Sequence, residues 1–371
     1  MKENKQKVAL AVSSFSGGGA ERVMVTLANK YIEWGYEVDF IVGSDEGPYK
    51  KHLNSHVNKF VLYDKAYGRF KRRIQAFLNL RNYLLNSDSG VLISTLKELN
   101  VFFSFTKILS GKKISHFVRE ADTLDRIFVQ GGLKNKILLK AMQLFYPKSS
   151  GVIANCDITK SDLIKNINKI RNKTTVIYNP LDLGLIKNLS IESCKNSVDY
   201  PTIIACGRLT MKKNFADLIR VSVILKEKYP NIKVNILGQG EDESYLKSLV
   251  KELQLEGVVN FLGFVDNPYA YYSQADVFVQ TSLWEGFGYV LAEAMACDTP
   301  VVAYDAKGAM REILADGKYG LLTPVGDLQA LADAIVQQIE QPTSLELLNE
   351  SVQRFDVNRI ARQYLDAMGV K

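Results

Sequence analysis

The sequence predicts an α/β protein of two Rossmann-like, doubly wound domains facing across a cleft, and three observations carry that prediction. At 371 residues the chain is longer than one hydrophobic core usually serves. Short apolar runs alternate with amphipathic, helix-length segments along nearly all of it, the rhythm of parallel sheets covered by helices. Between Pro180 and Tyr200 a stretch rich in Asn, Ser and Lys breaks the rhythm without holding a full strand. The expected division is 1–185 for an N-terminal domain, 186–350 for a C-terminal domain and 351–371 for a terminal helix.

In the first half the apolar runs predict strands at 7–13, 37–43, 58–63, 90–95, 113–119, 150–154 and 174–178. Between the first two, Val23, Leu27, Tyr31 and Trp34 keep helical spacing, and Gly35 follows as a stop signal. In the second half strands are expected near 201–206, 232–237, 258–262, 276–280, 299–303 and 320–323. Helices are expected there at 213–228, 241–254, 288–297, 308–315 and 327–340.

Composition narrows the function classes. The chain is 47% hydrophobic and 23% charged, as in an ordinary soluble globular protein. No run approaches the length of a membrane span, and the N-terminus lacks the pattern of a signal peptide, so a cytosolic protein is expected. Cys156, Cys194, Cys206 and Cys297 are widely spaced and read as small apolar packers. His52, His56 and His116 give no zinc-ligand spacing, so no metal is expected. The net charge of +7 is uneven: residues 1–185 carry 29 Lys+Arg against 16 Asp+Glu, and the remainder 18 against 24. A basic half points to a polyanion such as an anionic membrane surface or a phosphorylated lipid. Nucleic acid is not expected, because no motif of that class is present.

Three motifs carry chemistry. Gly17-Gly18-Gly19 lies between the first strand and its helix, where backbone and helix N-terminus suit a diphosphate. Arg208 and Lys213 lie five apart in a loop at a strand's carboxyl end, where two cations could neutralise two phosphates. Taken alone they could equally be solvated surface cations. The third motif is Glu285-Gly286-Phe287-Gly288-Tyr289-Val290 followed by Glu293, at the start of an otherwise apolar helix. A carboxylate there needs a partner, either a ligand hydroxyl or a core ion pair.

This ordered series resembles the GT-B glycosyltransferases of family 4 (group 1), and the resemblance spans nearly the whole chain. The matching strings are Gly-Gly-Ala-Glu-Arg at 18–22, Ile177-Tyr178-Asn179-Pro180, Gly-Arg-Leu-x-x-x-Lys at 207–213 and Gly238-Gln239-Gly240. Phe261-Leu262-Gly263-Phe264, the pair Glu285 and Glu293, and Gly-x-x-x-Glu ending at Glu312 complete it. The resemblance implies an acceptor-binding N-terminal domain and a C-terminal domain that holds a nucleotide sugar, with retention of anomeric configuration and no cofactor or metal. By it, Gly18 and Gly19 approach the donor diphosphate, and Arg208 and Lys213 hold it as the glycosidic bond breaks. Glu285 contacts the sugar, Glu293 the ribose, the amides of Gly286, Phe287, Gly288, Tyr289 and Val290 the sugar and phosphates, and Gly263, Phe264 and Val265 the base. The last helix, Ser351–Met368, would cross back to the first domain.

Two departures stand out. Where many members place a His near the transferred sugar, this strand reads His116-Phe117-Val118-Arg119-Glu120-Ala121-Asp122-Thr123, so Arg119 and Glu120 are the expected sugar or acceptor contacts. Asp298 replaces a usual Gly, and Asp tolerates a positive φ if the position needs one. The segment 69–85 begins with a cationic cluster and keeps apolar residues at 70, 74, 77, 78, 84 and 85 in helical spacing. It could lie on an anionic bilayer or turn that face to the core.

The expected function is transfer of a hexose or N-acetylhexosamine from a UDP-sugar to a polyprenyl-pyrophosphate-linked glycan, in bacterial surface-polysaccharide assembly on the cytoplasmic face of the inner membrane. The alternatives are a GT-B-fold sugar-nucleotide epimerase, which needs acid/base groups around the sugar, and a catalytically inert sugar-nucleotide-binding scaffold.

Overall fold

A computed structural model describes residues 6–16, 18–124, 131–191 and 200–370. The chain divides into two units, residues 1–180 with 357–371, and residues 181–356.

Among its described residues the first unit holds seven strands: β1 (Val8–Val12), β2 (Val38–Val42), β3 (Asn58–Val61), β4 (Val91–Thr95), β5 (Ser115–Glu120), β6 (Gly151–Ala154) and β7 (Thr174–Val176). They form one parallel sheet in the order β3-β2-β1-β4-β5-β6-β7. Strands β1, β2 and β4 are buried at every residue, whereas edge strand β3 is exposed throughout. That burial on both faces is why the central strands read as unbroken apolar runs rather than alternating ones. The helices are α1 (Gly19–Glu33), α2 (Arg69–Asn86), α3 (Lys97–Ser110), α4 (Gly132–Phe145) and α5 (Asp157–Asn166).

The second unit contains α6 (Leu183–Ser190), β8 (Thr202–Cys206), α7 (Phe215–Lys228), β9 (Lys233–Leu237), α8 (Glu243–Glu252), β10 (Val259–Gly263) and α9 (Tyr269–Tyr272). It continues with β11 (Val277–Gln280), α10 (Tyr289–Ala296), β12 (Val301–Tyr304), α11 (Met310–Ile313), β13 (Leu321–Thr323), α12 (Leu328–Glu340) and α13 (Leu345–Gln353). Its parallel sheet runs β10-β9-β8-β11-β12-β13. One core with Ile and Val from β8, β9, β11 and β12 packs under α7, α8 and α12. The expected strands and the doubly wound α/β class are all present.

The units part at Pro180/Leu181 and at Asp356/Val357, not at 185/186 and 350/351. Packing explains both shifts, since α6 lies on α9 and α10, and α13 lies on α10. The single helix expected from Ser351 to Met368 is two, because α13 ends at Gln353 and α14 spans Val357–Met368. Helix α14 belongs to the first unit. Its buried residues Val357, Ile360, Ala361, Tyr364, Leu365 and Met368 follow one helical stripe. Tyr31 donates its hydroxyl to the Ala361 carbonyl at 3.3 Å, and the Arg362 guanidinium lies over the Trp34 ring at 5.0 Å.

Cys156 and Cys297 are buried and Cys206 half-buried, while Cys194 lies outside the described residues. Asp298 has φ 62°, the left-handed conformation that a Gly would adopt more readily.

His116 is buried on β5 against Ser94 Oγ at 2.8 Å and Ser104 Oγ at 3.4 Å. Burial, and secondarily the Lys107 charge, lowers its pKa from 6.5 to about 3. The folded unit therefore binds this proton less readily than the unfolded chain. Its contribution to stability is present above pH 6.5 and is lost as pH falls towards 3. A Tm series across that window should fall less steeply in His116→Gln than in the parent. Parallel slopes would rule out the buried imidazole as a source of acid sensitivity.

Candidate active site

The strand order of the second unit reverses between β8 and β11. In open parallel sheets such a switch point opens a crevice at the carboxyl ends of the strands. Lys213 belongs to the loop after β8 and Glu285 to the loop after β11, so neighbouring strands deliver them to that crevice. They meet: Lys213 Nζ lies 2.5 Å from Glu285 Oε1, and Lys212 Nζ lies 3.2 Å from Oε2. Ser282 Oγ donates to Oε1 at 3.0 Å.

The local backbone explains the meeting. Met211–Lys213 is a 3-10 turn that ends at Asn214 in the left-handed region, φ 48°. Leu283 N donates to the Lys212 carbonyl at 2.9 Å, and Thr281 Oγ1 to the Lys213 carbonyl at 3.0 Å, so the two loops are stitched together. A third loop, after β12, supports Glu285 through Glu285 N donating to Lys307 O at 3.0 Å. Gly308, at φ 140°, lies so close that a Cβ would fall 1.9 Å from the Glu285 carbonyl oxygen. Gly308→Ala should therefore displace the 281–288 loop and lower both activity and Tm. Wild-type kinetics and Tm in that variant would show that the loop tolerates the shift.

Burial acts to raise the Glu285 pKa, but the ammonium groups of Lys213 and Lys212 outweigh it and hold the carboxyl down at about 2. The group is a carboxylate under any physiological condition. Arg208, on the same loop as the lysines, is exposed and makes no ion pair among the described residues. Three cations against one carboxylate leave a formal charge of +2 at the crevice, a setting for a dianionic ligand.

The remaining expected residues are distributed as follows. Helix α10 starts at Tyr289 with Gly288 as its N-cap in the left-handed region, φ 80°. Gly286 and Phe287 are buried and Tyr289 and Val290 half-buried, and the Phe287 ring packs edge-on to Phe355 at 5.3 Å. Glu293 is 1% exposed and accepts a hydrogen bond from the Tyr269 hydroxyl at 3.0 Å. Gly263 closes β10, Phe264 beside it is 65% exposed, and Val265 is half-buried.

In the first unit, Gly18 is the N-cap of α1 and Gly19 its first residue. The Glu21 carboxylate folds back over Gly18 and accepts from Ser16 Oγ at 3.2 Å. Gly17 lies outside the described residues. Arg119 and Glu120, expected as sugar or acceptor contacts, are instead buried inside this unit. Arg119 donates to Tyr364 Oη at 2.8 Å, Thr95 Oγ1 at 3.1 Å and Asn179 Oδ1 at 2.5 Å. Glu120 accepts from Asn100 Nδ2 at 2.8 Å and from the Tyr146 hydroxyl, and burial raises its pKa. The Arg119 guanidinium and Glu120 Oε1 are held by partners within this unit.

Sequence reading passed over Lys212 and Ser282. An adjacent second lysine reads as a solvated charge, and only the 3-10 turn brings both ammonium groups to one carboxylate.

Two parallel doubly wound sheets, with a cationic crevice at the switch point of the second, define the GT-B class. Residues 17–185 match the model for Glycosyltransferase Family 4, and residues 188–355 match that for Glycosyl transferases group 1. The chain belongs to this family of GT-B glycosyltransferases. It is 27% identical over 384 residues to the Campylobacter jejuni N-acetylgalactosamine-N,N'-diacetylbacillosaminyl-diphospho-undecaprenol 4-alpha-N-acetylgalactosaminyltransferase, covering 97% of this chain and 98% of that one. A second C. jejuni relative, the GalNAc-alpha-(1->4)-GalNAc-alpha-(1->3)-diNAcBac-PP-undecaprenol alpha-1,4-N-acetyl-D-galactosaminyltransferase, is 26% identical and is covered to 97% in both chains. Among solved structures, Anabaena HepE in complex with UDP shares the fold, with a TM-score of 0.79 and 24% identity over 98% of this chain and 99% of that one.

Proposed function

We propose that this glycosyltransferase moves a hexose or N-acetylhexosamine from a UDP-sugar to a polyprenyl-diphosphate-linked glycan, with retention and without a metal. The observation that carries the reading is the Lys212–Lys213–Glu285 cluster, with Arg208 on the same loop, whose net charge matches the two phosphates of a nucleotide sugar. The lipid-linked acceptor follows the two C. jejuni relatives, each named for an undecaprenol-linked substrate.

In this reading Lys213, Lys212 and Arg208 stabilise the negative charge that grows on the leaving diphosphate, which is where electrostatic preorganisation lowers a barrier most. The bond from the anomeric carbon to the diphosphate oxygen breaks while the acceptor oxygen bonds to the same face. The acceptor's proton passes to the leaving phosphate. Glu285 orients the sugar, Glu293 the ribose, the amides after Gly286 the sugar and phosphates, and the backbone at 263–265 the base.

The acceptor's anchor implies a membrane partner for the basic first unit. Helix α2 turns Ala76, Leu80, Tyr83 and Leu84 to the core, while Phe70, Ile74, Leu78 and Leu85 stay exposed. One face of the helix is thus core, and the other leaves apolar side chains exposed. It holds five Lys or Arg and no acid, a composition suited to the cytoplasmic face of an anionic membrane. Among the described residues no helix is long and apolar enough to cross a membrane.

The test is direct. Each of a panel of UDP- and GDP-sugars is incubated with the chain and a polyprenyl-diphosphate-linked acceptor, and nucleoside diphosphate release is followed. Acceptor-dependent release with a UDP-sugar, and an α-linked product from an α-donor by NMR, supports the reading. Interconversion of sugar nucleotides without acceptor would make the chain an epimerase, and binding without turnover would make it a scaffold.

A further inference from the structure

The turn that presents Lys212 and Lys213 passes into α7 through Asn214, the N-cap of that helix. Asparagine at an N-cap ordinarily takes an extended conformation and accepts a hydrogen bond from a first-turn N–H with its side-chain oxygen. In the same unit, Asp182, Asp327 and Ser344 make that bond for α6, α12 and α13. Asn214 does not. It sits at φ 48°, ψ 45°, and its side chain makes no cap bond to the helix. Its amide nitrogen instead donates to Asp217 Oδ2 at 2.7 Å. The left-handed region is open to asparagine more than to most residues, but it is still not the preferred one.

Asp217 is a fixed acceptor, tied through both oxygens. Oδ2 also accepts from the Tyr304 hydroxyl at 3.0 Å, at the end of β12, and Oδ1 accepts from Arg220 Nη1 at 2.9 Å. A strand of the sheet thus holds a helix carboxylate, and the carboxylate holds the residue that follows Lys213. Helix α7 cannot give way, because Phe215, Leu218 and Ile219 are packed in the core. Rotation about the N–Cα bond of Asn214 must therefore move what precedes it, the turn Met211–Lys213. That turn has little slack. The Lys213 stem lies over Gly207, where a Cβ would fall 2.9 Å from Lys213 Cε, and its Nζ is 2.5 Å from Glu285 Oε1.

We infer that Asp217 is a positioning residue for the diphosphate-binding lysines. By engaging the Asn214 amide it withholds that side chain from the helix cap and keeps the backbone left-handed there. Lys213, and with it Lys212, is thereby aimed at Glu285 and the crevice. Without the carboxylate, Asn214 reverts to the extended, helix-capping conformation that asparagine favours, and the turn swings away with it. The forgone cap is a local sacrifice of stability of the kind found where function dictates the backbone. The inference rests on the reading of these lysines as ligands of a donor diphosphate and adds what sets their direction.

The test is a rescue experiment in the full chain. Asp217→Ala should lower kcat about tenfold or more by misplacing the cations, and weaken UDP binding in calorimetric titration, with acceptor KM nearly unchanged. Glycine takes the left-handed conformation readily and has no side chain to cap with. Asn214→Gly added to Asp217→Ala should therefore recover most of both losses. Asn214→Ala leaves Asp217 with Tyr304 and Arg220 and should reproduce the defect, which keeps the question open to measurement even where Asp217→Ala folds poorly. Arg220→Gln, which removes a half-exposed ion pair from the other oxygen, should stay within about twofold of the parent. A crystal structure of Asp217→Ala should show Asn214 at negative φ and Lys213 Nζ out of reach of Glu285. Failure of glycine to rescue, or a left-handed Asn214 retained in that variant, would overturn the proposal and leave Asp217 with a role in folding alone. Absence of turnover in the parent with every donor would overturn the transferase reading instead, and the variant's structure would still decide whether Asp217 aims the lysines.

Discussion

Lys213→Ala is expected to lower transfer turnover by about 100-fold or more, the usual effect of removing one preorganised donor from a developing negative charge. The variant loses more than one cation. Glu285 is buried and currently shares its two oxygens between Lys213 at 2.5 Å and Lys212 at 3.2 Å. Without Lys213 it keeps the longer pair and Ser282, so the second unit should lose roughly 1–3 kcal/mol rather than the larger cost of an orphaned buried charge. The pH dependence separates the two effects. In the parent, the stability from this carboxyl is complete above its ordinary value of 4.5 and fades only as pH falls towards about 2. Removing its main counter-charge lifts the folded pKa and narrows that interval. Initial rates with saturating donor report the catalytic loss, and Tm measured from pH 7 to pH 3 reports the electrostatic one. Normal turnover in Lys213→Ala would remove this residue from the mechanism.

Arg119→Met should destabilise the first unit by about 3–5 kcal/mol, the range for breaking a buried charged network. The substitution keeps much of the volume but leaves Tyr364 Oη, Thr95 Oγ1 and Asn179 Oδ1 without their donor. Since Tyr364 is on α14, that helix should detach first and become sensitive to protease. Arg119→Lys should rescue little, because an ammonium cannot reproduce the planar fork that meets three acceptors. Urea unfolding and limited proteolysis measure these effects. A raised acceptor KM at unchanged stability would return Arg119 to the substrate contacts that sequence reading assigned to it.

That contrast shows where sequence reading ends. Most of the described strands were legible because strands buried on both faces are continuous apolar runs, and their spacing set the α/β class. The positions of Lys213 and Glu285 at the ends of β8 and β11 were legible for the same reason. Their partners were less so. Lys212 joins them through a turn that no periodicity announces. The burial of Arg119 was invisible because its partners Asn179 and Tyr364 lie 60 and 245 residues away. A charged pair at a strand end looks the same whether it faces a substrate or the core. The break between α13 and α14 was hidden too, since Arg354-Phe355-Asp356 contains neither Gly nor Pro.

Because residues 181–356 are inserted between two parts of the first unit, the order of synthesis differs from the order of assembly. The seven strands of the first unit leave the ribosome early, but Arg119 must wait for Tyr364, which is made only after the whole inserted unit. During that interval the nascent first unit holds a guanidinium short of one acceptor and an uncovered apolar stripe on α1. The inserted unit, by contrast, is complete once Asp356 has emerged, and its Leu181 N to Phe355 O bond at 2.7 Å closes it. The unit made second is thus free to finish first, and a released chain truncated after Asp356 should hold a native second unit beside an immature first one.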